Sequence, residues 1–243
     1  MFFYNIDIMP CILNIETATE VCSVVVSDND NVIFQKEELK GPSHAVLLGS
    51  FVDEAVRHLR SKKIKLDAVA VSCGPGSYTG LRIGVSEAKG LCFGMGIPLI
   101  AINTLHIMTS GVLNNNNTNE ASVFCPMIDA RRMEVYDVLL DSNLKELCPV
   151  SADIINEDSF TDILDKNKVL FFGNGAGKCR DILKHSNAIF LENIYPHAKD
   201  MIKLANKDYS EKRFVDTAYF EPFYLKEFVA TIPKNKVLHS QNK

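Results

Sequence analysis

The sequence predicts an α/β protein built from two related lobes. Short apolar runs of strand type alternate with segments of helical periodicity. A strand–turn–strand–turn–strand unit that opens near Ile12 occurs again near Pro126, at an offset of about 113 residues. A supersecondary unit that occurs twice in one chain favours two lobes of similar topology.

Apolar periodicity and turn residues give the elements of the first lobe. The turns at 16–19 and 27–31 are rich in small, hydroxyl or polar residues, and a wide apolar stripe with helical spacing follows them. The predicted elements are strands at 11–15, 22–26 and 32–37, a helix at 43–60, a strand at 66–72, a helix after residue 80 and a strand at 98–102.

The second lobe repeats the opening pattern and then departs from it. Asp129–Arg132 and Asp141–Asn143 are its turns, and a glycine-rich loop occupies 173–177. The predicted elements are strands at 123–128, 135–140 and 169–172, helices at 178–183 and 200–207, and a strand or extended segment from Glu221.

The polar run at 114–119 predicts the boundary between the lobes. We expect an N-terminal lobe at 9–110 that carries the long helices and a C-terminal lobe at 111–243 that ends in an extended tail. Residues 1–8 precede the pattern and are interpreted as a start-site extension. This outline is that of the actin-like ATPase fold of actin, Hsp70 and sugar kinases, with duplicated ribonuclease H-like lobes. In that fold two β-turns hold phosphate groups.

Composition limits the class of protein. The net charge is −4, so any RNA contact requires a local basic patch. The seven cysteines include no Cys-x-x-Cys pair, which favours reduced thiols and a cytoplasmic protein. No apolar run is long enough to predict a membrane span.

Three segments contain candidate nucleotide-binding residues. They are Glu16, Thr17 and Thr19 in the first turn, Asp129 in the second turn, and Gly173 and Gly175 in the glycine loop. Arg131 stands where such turns usually have a glycine, and its side chain would crowd a phosphate. We therefore expect weak binding of ATP or ADP at most, and no turnover. Asp129 as a turn cap and 173–177 as a plain strand-to-helix loop are the alternatives.

The segment at 74–90 combines a Gly-Pro turn with a helix of small residues. Gly80, Gly84 and Ala88 share one face of that helix. Because glycine inside a helix costs about 1 kcal/mol relative to alanine, the two glycines indicate close approach of a neighbouring element. That element is a partner helix or this chain's own sheet, and the two are compatible, because one face of the helix can pack inward while the other meets a partner.

Four segments resemble the TsaB family. The most specific is 74–84, with the sequence Gly-Pro-Gly-Ser-Tyr-Thr-Gly-Leu-Arg-Ile-Gly, and the segments at 12–24, 127–136 and 224–230 support it. The resemblance extends from Met9 to about Pro233. It implies a non-catalytic partner of TsaD, the transferase that adds a threonylcarbamoyl group to the tRNA adenosine next to the anticodon.

The resemblance also implies partners and an interface. We expect a heterodimer with a TsaD-like protein, a TsaE-like ATPase in a larger complex, tRNA as the substrate of that complex, and a homodimer in isolation. The expected docking residues are Leu47, Leu48, Phe51, Gly80, Gly84, Ala88 and Leu91. TsaD-like proteins carry a His-x-x-x-His metal pair, and the matching positions here are Thr104 and Met108. We therefore expect no metal in this chain.

Two alternatives remain open. The alternative to a non-catalytic partner of TsaD is an independent metal- or nucleotide-dependent hydrolase of the glycoprotease type. The cations at 57–65 either complement the C-terminal end of the helix or contact tRNA phosphates.

Overall fold

The computed structural model describes residues 10–39, 44–115, 118 and 120–225. The strands are β1 (Cys11–Glu16), β2 (Cys22–Asp28), β3 (Asn31–Glu38), β4 (Ala68–Gly74), β5 (Leu99–Asn103), β6 (Val123–Asp129), β7 (Glu134–Leu140), β8 (Glu146–Ile154), β9 (Val169–Phe172) and β10 (Ala188–Leu191). The α-helices are α1 (His44–Lys62), α2 (Tyr78–Met95), α3 (Thr104–Asn114), α4 (Thr161–Leu164) and α5 (Ile202–Ser210). Two 3₁₀ helices lie at Gly177–Cys179 and Ala198–Met201.

The two sheets have the same topology. The first has the order β3-β2-β1-β4-β5, and the second, taken in the same sense, has the order β8-β7-β6-β9-β10. In each, the opening strand pairs antiparallel with the next strand and parallel with the fourth. This repetition confirms the predicted two-lobed α/β fold.

Helix α3 lies between the sheets. Its residues Leu105, Met108 and Val112 pack against the second sheet, whereas Ile107 joins a cluster with Ile12 and Ile100 of the first. Helices α1 and α2 pack against the first sheet in a separate cluster, through buried residues that include Leu48, Val52 and Val85. None of the helices in the described residues combines the length and the apolar character needed to cross a membrane.

The chain returns to the first sheet after β10. Helix α5 contacts β1 and β5, the Val215 amide donates to the Leu99 carbonyl (2.9 Å), and the Phe223 amide donates to the Cys73 carbonyl (2.7 Å). The sequence-based division assigns these residues to the C-terminal lobe, although they lie against the first sheet. The boundary after residue 110 stays a prediction.

Several elements differ from their sequence-based prediction. Helix α3 and strands β8 and β10 were not predicted, and the helix expected at 178–183 is a single 3₁₀ turn followed by irregular chain. The expected strand from Glu221 is irregular as far as residue 225. The predicted helix start at Ser43, the extension at 1–8 and the rest of the tail lie outside the described residues.

Strand β7 buries a carboxyl group in the second sheet. Asp137 is 2% exposed, and its Oδ2 has no hydrogen-bond partner among the described residues. Burial and the nearby negative charge of Asp153 raise the pKa of Asp137 from 3.8 to about 8. The folded chain therefore retains a proton that the unfolded chain releases at much lower pH.

The first prediction concerns this proton. Because the folded state binds it more tightly, Asp137 lowers the free energy of unfolding progressively as the pH rises from about 4 to about 8. We expect Asp137→Asn to flatten this decline and to stabilise the protein at pH 8 by several kcal/mol, since one unit of pKa corresponds to about 1.4 kcal/mol. Urea unfolding of both proteins across this pH range measures the effect. Asp181→Asn, at an exposed position, is the control, and equal pH profiles for all three proteins would contradict the prediction.

Candidate functional site

A cleft of about 990 Å³ lies where the two lobes meet. One wall is formed by the first turn (residues 18–20) and the loop and helix start at 75–80. The opposite wall is formed by the second turn (residues 128–132) and Asn174. The two turns that hold phosphates in actin-like ATPases therefore face each other across this cleft.

The first turn uses its polar groups internally. Glu16 is fully buried, and its Oε1 accepts hydrogen bonds from the Ala18 amide (2.6 Å) and the Ser72 hydroxyl (3.0 Å). Burial raises the pKa of Glu16 to about 7, although these hydrogen bonds oppose the shift. Glu16 thus shapes the turn from inside the lobe and does not line the cleft.

Thr17 fastens the same turn to α2. Its hydroxyl donates to the Gly80 carbonyl (2.9 Å), and a Cβ added at Gly84 would overlap that hydroxyl. A Cβ at Gly80 would overlap the Thr17 carbonyl oxygen. The glycines therefore allow the helix to lie against this chain's own turn.

The second turn is closed by charged side chains. Asp129 pairs with Lys178 and accepts a hydrogen bond from the Arg131 amide (3.1 Å). Arg131 and Arg132 both have left-handed backbones, with φ of 74° and 52°. The turn thus keeps a conformation that glycine favours, but it carries two long cationic side chains into the cleft.

The glycine loop packs on β6. Gly173 has φ of 103°, and a Cβ there would overlap the Met127 carbonyl oxygen and the Met108 side chain. A Cβ at Gly175 would press on the backbone at Ile128 and Asp129. The cleft instead receives Asn174, whose Oδ1 accepts a hydrogen bond from the Asp129 amide (2.9 Å).

Of the six candidate nucleotide-binding residues, the structure places Thr19 and Asp129 on the cleft wall. Glu16, Thr17, Gly173 and Gly175 instead hold the surrounding turns together. Sequence reasoning missed Asn174 and also His44, whose Nε2 lies 3.0 Å from the Val21 carbonyl. Asn174 is the polar residue between the two predicted glycines, Gly173 and Gly175. That position in the sequence could have identified it as a residue that lines the cleft.

The positions that match the metal pair of TsaD-like proteins are in the core. Thr104 is fully buried at the start of α3 with no hydrogen-bond partner for its Oγ1 among the described residues. Met108 packs against the second sheet. Among the described residues, no three His, Cys, Asp or Glu side chains are arranged to hold a metal ion.

The predicted docking surface requires correction. Leu48, Gly80, Gly84 and Ala88 are buried within the lobe, so they do not form an exposed face. The alternative explanation of the glycine face, packing inside this chain, is the one that the structure supports. Leu47, Phe51 and Leu91 are half-buried along α1 and α2, and their docking role stays a prediction.

A different row of small residues faces outward. Ser86, Gly90 and Gly94 follow one another at intervals of four residues on α2, and all three are exposed. Helix α1, which contacts α2, exposes Val46 (78%), Gly49 and Ser50. A Cβ added at Gly49, Gly90 or Gly94 would meet no neighbouring atom of the described residues within 4 Å. We call these six residues the outer face.

The second prediction compares the two rows of α2. Gly84→Ala forces a methyl group against Thr17, so we expect a loss of stability of about 1–3 kcal/mol. Gly90→Ala adds a methyl group in open space and should stabilise by up to about 1 kcal/mol through helix propensity. Urea unfolding measures the free energy of unfolding of both variants. A change of the same sign in both would contradict the assignment of Gly84 to the covered row of α2 and of Gly90 to the exposed row.

The family model described as "TsaD: tRNA N6-adenosine threonylcarbamoyltransferase" matches residues 38–234. A protein named tRNA threonylcarbamoyladenosine biosynthesis protein TsaB, from Escherichia coli (strain K12), is 29% identical over 225 residues, which cover 90% of this chain and 96% of that protein. The protein of the same name from Bacillus subtilis (strain 168) is 28% identical over 166 residues, 67% of this chain and 70% of that protein.

Among solved structures, a Pseudomonas aeruginosa protein with similarity to peptidase YeaZ superposes with a TM-score of 0.77. It is 24% identical, and the match covers 90% of this chain and all of that one, which shows a shared fold. The family model spans most of the sequence, and the TsaB relatives match over most of their length. The chain therefore belongs to the TsaD family and, within it, to the TsaB proteins.

Proposed function

We propose that this chain is a non-catalytic subunit in the biosynthesis of threonylcarbamoyladenosine in tRNA, and that it binds and activates a TsaD-type transferase through its outer face. The names of its relatives support the pathway. The observation that supports the mode of action is the exposed small-residue row of α2 beside the exposed Val46.

The outer face suits a partner helix. Ser86, Gly90 and Gly94 lack bulky side chains, so a second helix can approach α2 closely and gain dispersion contacts along the backbone. Val46 and the half-buried Leu47 and Phe51 would provide apolar area beside this approach. Exposed apolar side chains next to a helix of small residues suit a protein–protein interface. A second copy of the chain could occupy it when the transferase is absent.

The cleft supports a binding role without turnover. Its first turn uses the Glu16 carboxylate and the Thr17 hydroxyl internally, and its second turn carries Arg131 where a phosphate would approach. The alternative function, an independent hydrolase of the glycoprotease type, gains no support from Thr104 and Met108, which serve the core.

The third prediction tests activation. We expect a TsaD-type protein, supplied with threonylcarbamoyladenylate and tRNA, to modify the tRNA at least about tenfold faster when this chain is present. The readout is transfer to tRNA of a label carried in the threonyl part of the adenylate. Full modification without this chain would refute the proposed function.

Variants of the outer face form the fourth prediction. Gly90→Arg and Val46→Glu place a bulky or charged group at the centre of the face, and we expect each to weaken binding to the transferase at least about tenfold. Both positions are open to solvent, so the fold should persist. Calorimetry and co-purification measure the binding.

Matched controls lie on the second lobe. Gly177→Arg also enters open space, and Ile154→Glu also changes a largely exposed aliphatic residue (72%). We expect both controls to bind like the unmodified chain. If Gly90→Arg and Val46→Glu bind as tightly as these controls, the outer face is not the docking site.

Weak nucleotide binding belongs to the same proposal. Because Arg131 crowds the cleft, we expect ATP and ADP to bind with a Kd of about 1 mM or weaker, and to remain unhydrolysed. Calorimetric titration and a phosphate-release assay measure the two quantities. A micromolar Kd or steady phosphate release would contradict this part of the proposal.

A further inference from the structure

A second groove, of about 920 Å³, lies between α3, α5, the turn at 142–144 and residues 213–215. It shares none of its described lining residues with the interlobe cleft. It also lies apart from the outer face, because no residue of α1 or α2 lines it. The groove is therefore a separate feature, and neither the cleft nor the docking face accounts for it.

Three cationic side chains line the groove of a protein whose net charge is negative. The whole chain carries a net charge of −4. The described lining includes the cations Lys203, Lys207 and Arg213 and one carboxylate, Asp208, and the carboxylates of Glu211 and Glu146 lie against Arg213 (3.0 Å) and His106 (3.6 Å). His106 adds no charge near neutral pH, because burial lowers the pKa of its imidazole.

The two lysines are available to a ligand. They are one helical turn apart on α5, where neighbouring like charges repel, and both are exposed. Lys203 donates to the Asn114 side chain (2.8 Å), and neither lysine forms an ion pair among the described residues. Arg213, by contrast, is already held by Asp208 and by Glu211 (3.0 Å). The lysine pair thus provides the unneutralised charge of the groove.

An aromatic ring lies beside these cations. Phe214 lines the groove with 40% of its surface exposed, and the edge of Tyr209 supports it at a centroid distance of 5.7 Å. The amides of Asn103 and Asn143 add hydrogen-bonding groups to the lining. Cations next to an exposed ring and amides form the usual surface for single-stranded nucleic acid.

We infer that this groove binds an unpaired stretch of RNA, with a phosphodiester on Lys203 and Lys207 and a base stacked on Phe214. A phosphodiester carries one negative charge. The two lysines together with the Asp208 carboxylate carry a net charge of +1, which one phosphodiester neutralises. A free nucleoside polyphosphate concentrates several charges beside that carboxylate, and the described lining offers no glycine-rich loop to hold them. These features favour an RNA strand over a free nucleotide.

The inference rests on the proposed role in tRNA modification, which supplies RNA as the partner. The test measures RNA binding by the full chain alone, whereas docking is measured with the transferase in the absence of RNA. Failure of one measurement therefore leaves the other intact.

Fluorescence anisotropy with a labelled single-stranded RNA of about eight nucleotides tests the inference in about 0.1 M salt. We expect the double variant Lys203→Glu/Lys207→Glu to bind at least about tenfold more weakly than the unmodified chain. Phe214→Ala should weaken binding about fivefold or more, since base–aromatic stacking is lost. Circular dichroism verifies that each variant is folded.

A matched control separates the groove from general electrostatics. Lys166→Glu/Lys184→Glu makes the same change in formal charge at exposed positions of the second lobe, and it should leave RNA affinity unchanged. Amide shifts in NMR spectra should cluster at 101–114 and 203–215 when RNA is added. Equal losses with the control pair, or shifts confined to the cleft, would overturn the inference. Tighter binding of ADP than of RNA in this groove would overturn it as well.

Discussion

The contact between Thr17 and the glycines of α2 determines how the first lobe is built. The Thr17 carbonyl and hydroxyl oxygens occupy the space that side chains at 80 and 84 would fill, and the hydroxyl donates to the Gly80 carbonyl. The Ser77 amide donates to the Ala18 carbonyl (2.7 Å) at the start of the same helix. With one face of α2 held against the turn, the row at 86, 90 and 94 must face outward. The turn and the proposed docking face are therefore parts of one arrangement.

Other donors of the first turn are also directed into the lobe. A phosphate cradle needs amide and hydroxyl donors that are free to face a ligand. Here the Ala18 amide donates to Glu16, the Val21 amide to Thr19, and the Thr17 hydroxyl to α2. Donors that form hydrogen bonds inside the lobe stabilise the turn and, in this conformation, do not face the cleft. In this chain the first turn supports helix α2 through Thr17.

The sequence predicted most of the fold because most elements carry their own pattern. Strand β9 was predicted at its observed residues, and the duplicated hairpins were visible from their turns. Helix α3 was missed because eight of its eleven residues are buried between two sheets, which removes the amphipathic pattern. Strand β8 was missed because a largely exposed edge strand that contains Pro149 lacks the usual alternation.

The candidate site was less predictable than the fold. Helix α2 contains two rows of small residues at intervals of four, one at 80, 84 and 88 and one at 86, 90 and 94. Spacing identifies both rows, but only the position of Thr17 decides which of them is covered. Likewise, the motif at 173–177 indicated a glycine loop, and the packing of Gly173 and Gly175 on β6 decides that Asn174 is the residue presented to the cleft.

The return of the chain to the first sheet has a mechanical consequence. The backbone crosses from the first sheet to the second through α3, and it crosses back between β10 and the 3₁₀ helix at Ala198–Met201. The hydrogen bonds of Val215 and Phe223 then fasten the returning segment to the first sheet. Two bodies joined by a single linker can rotate about it freely, whereas a second linker removes the twisting motion. Two crossings thus favour bending of the lobes about the line that joins them, which would open and close the cleft, over sliding of one wall past the other.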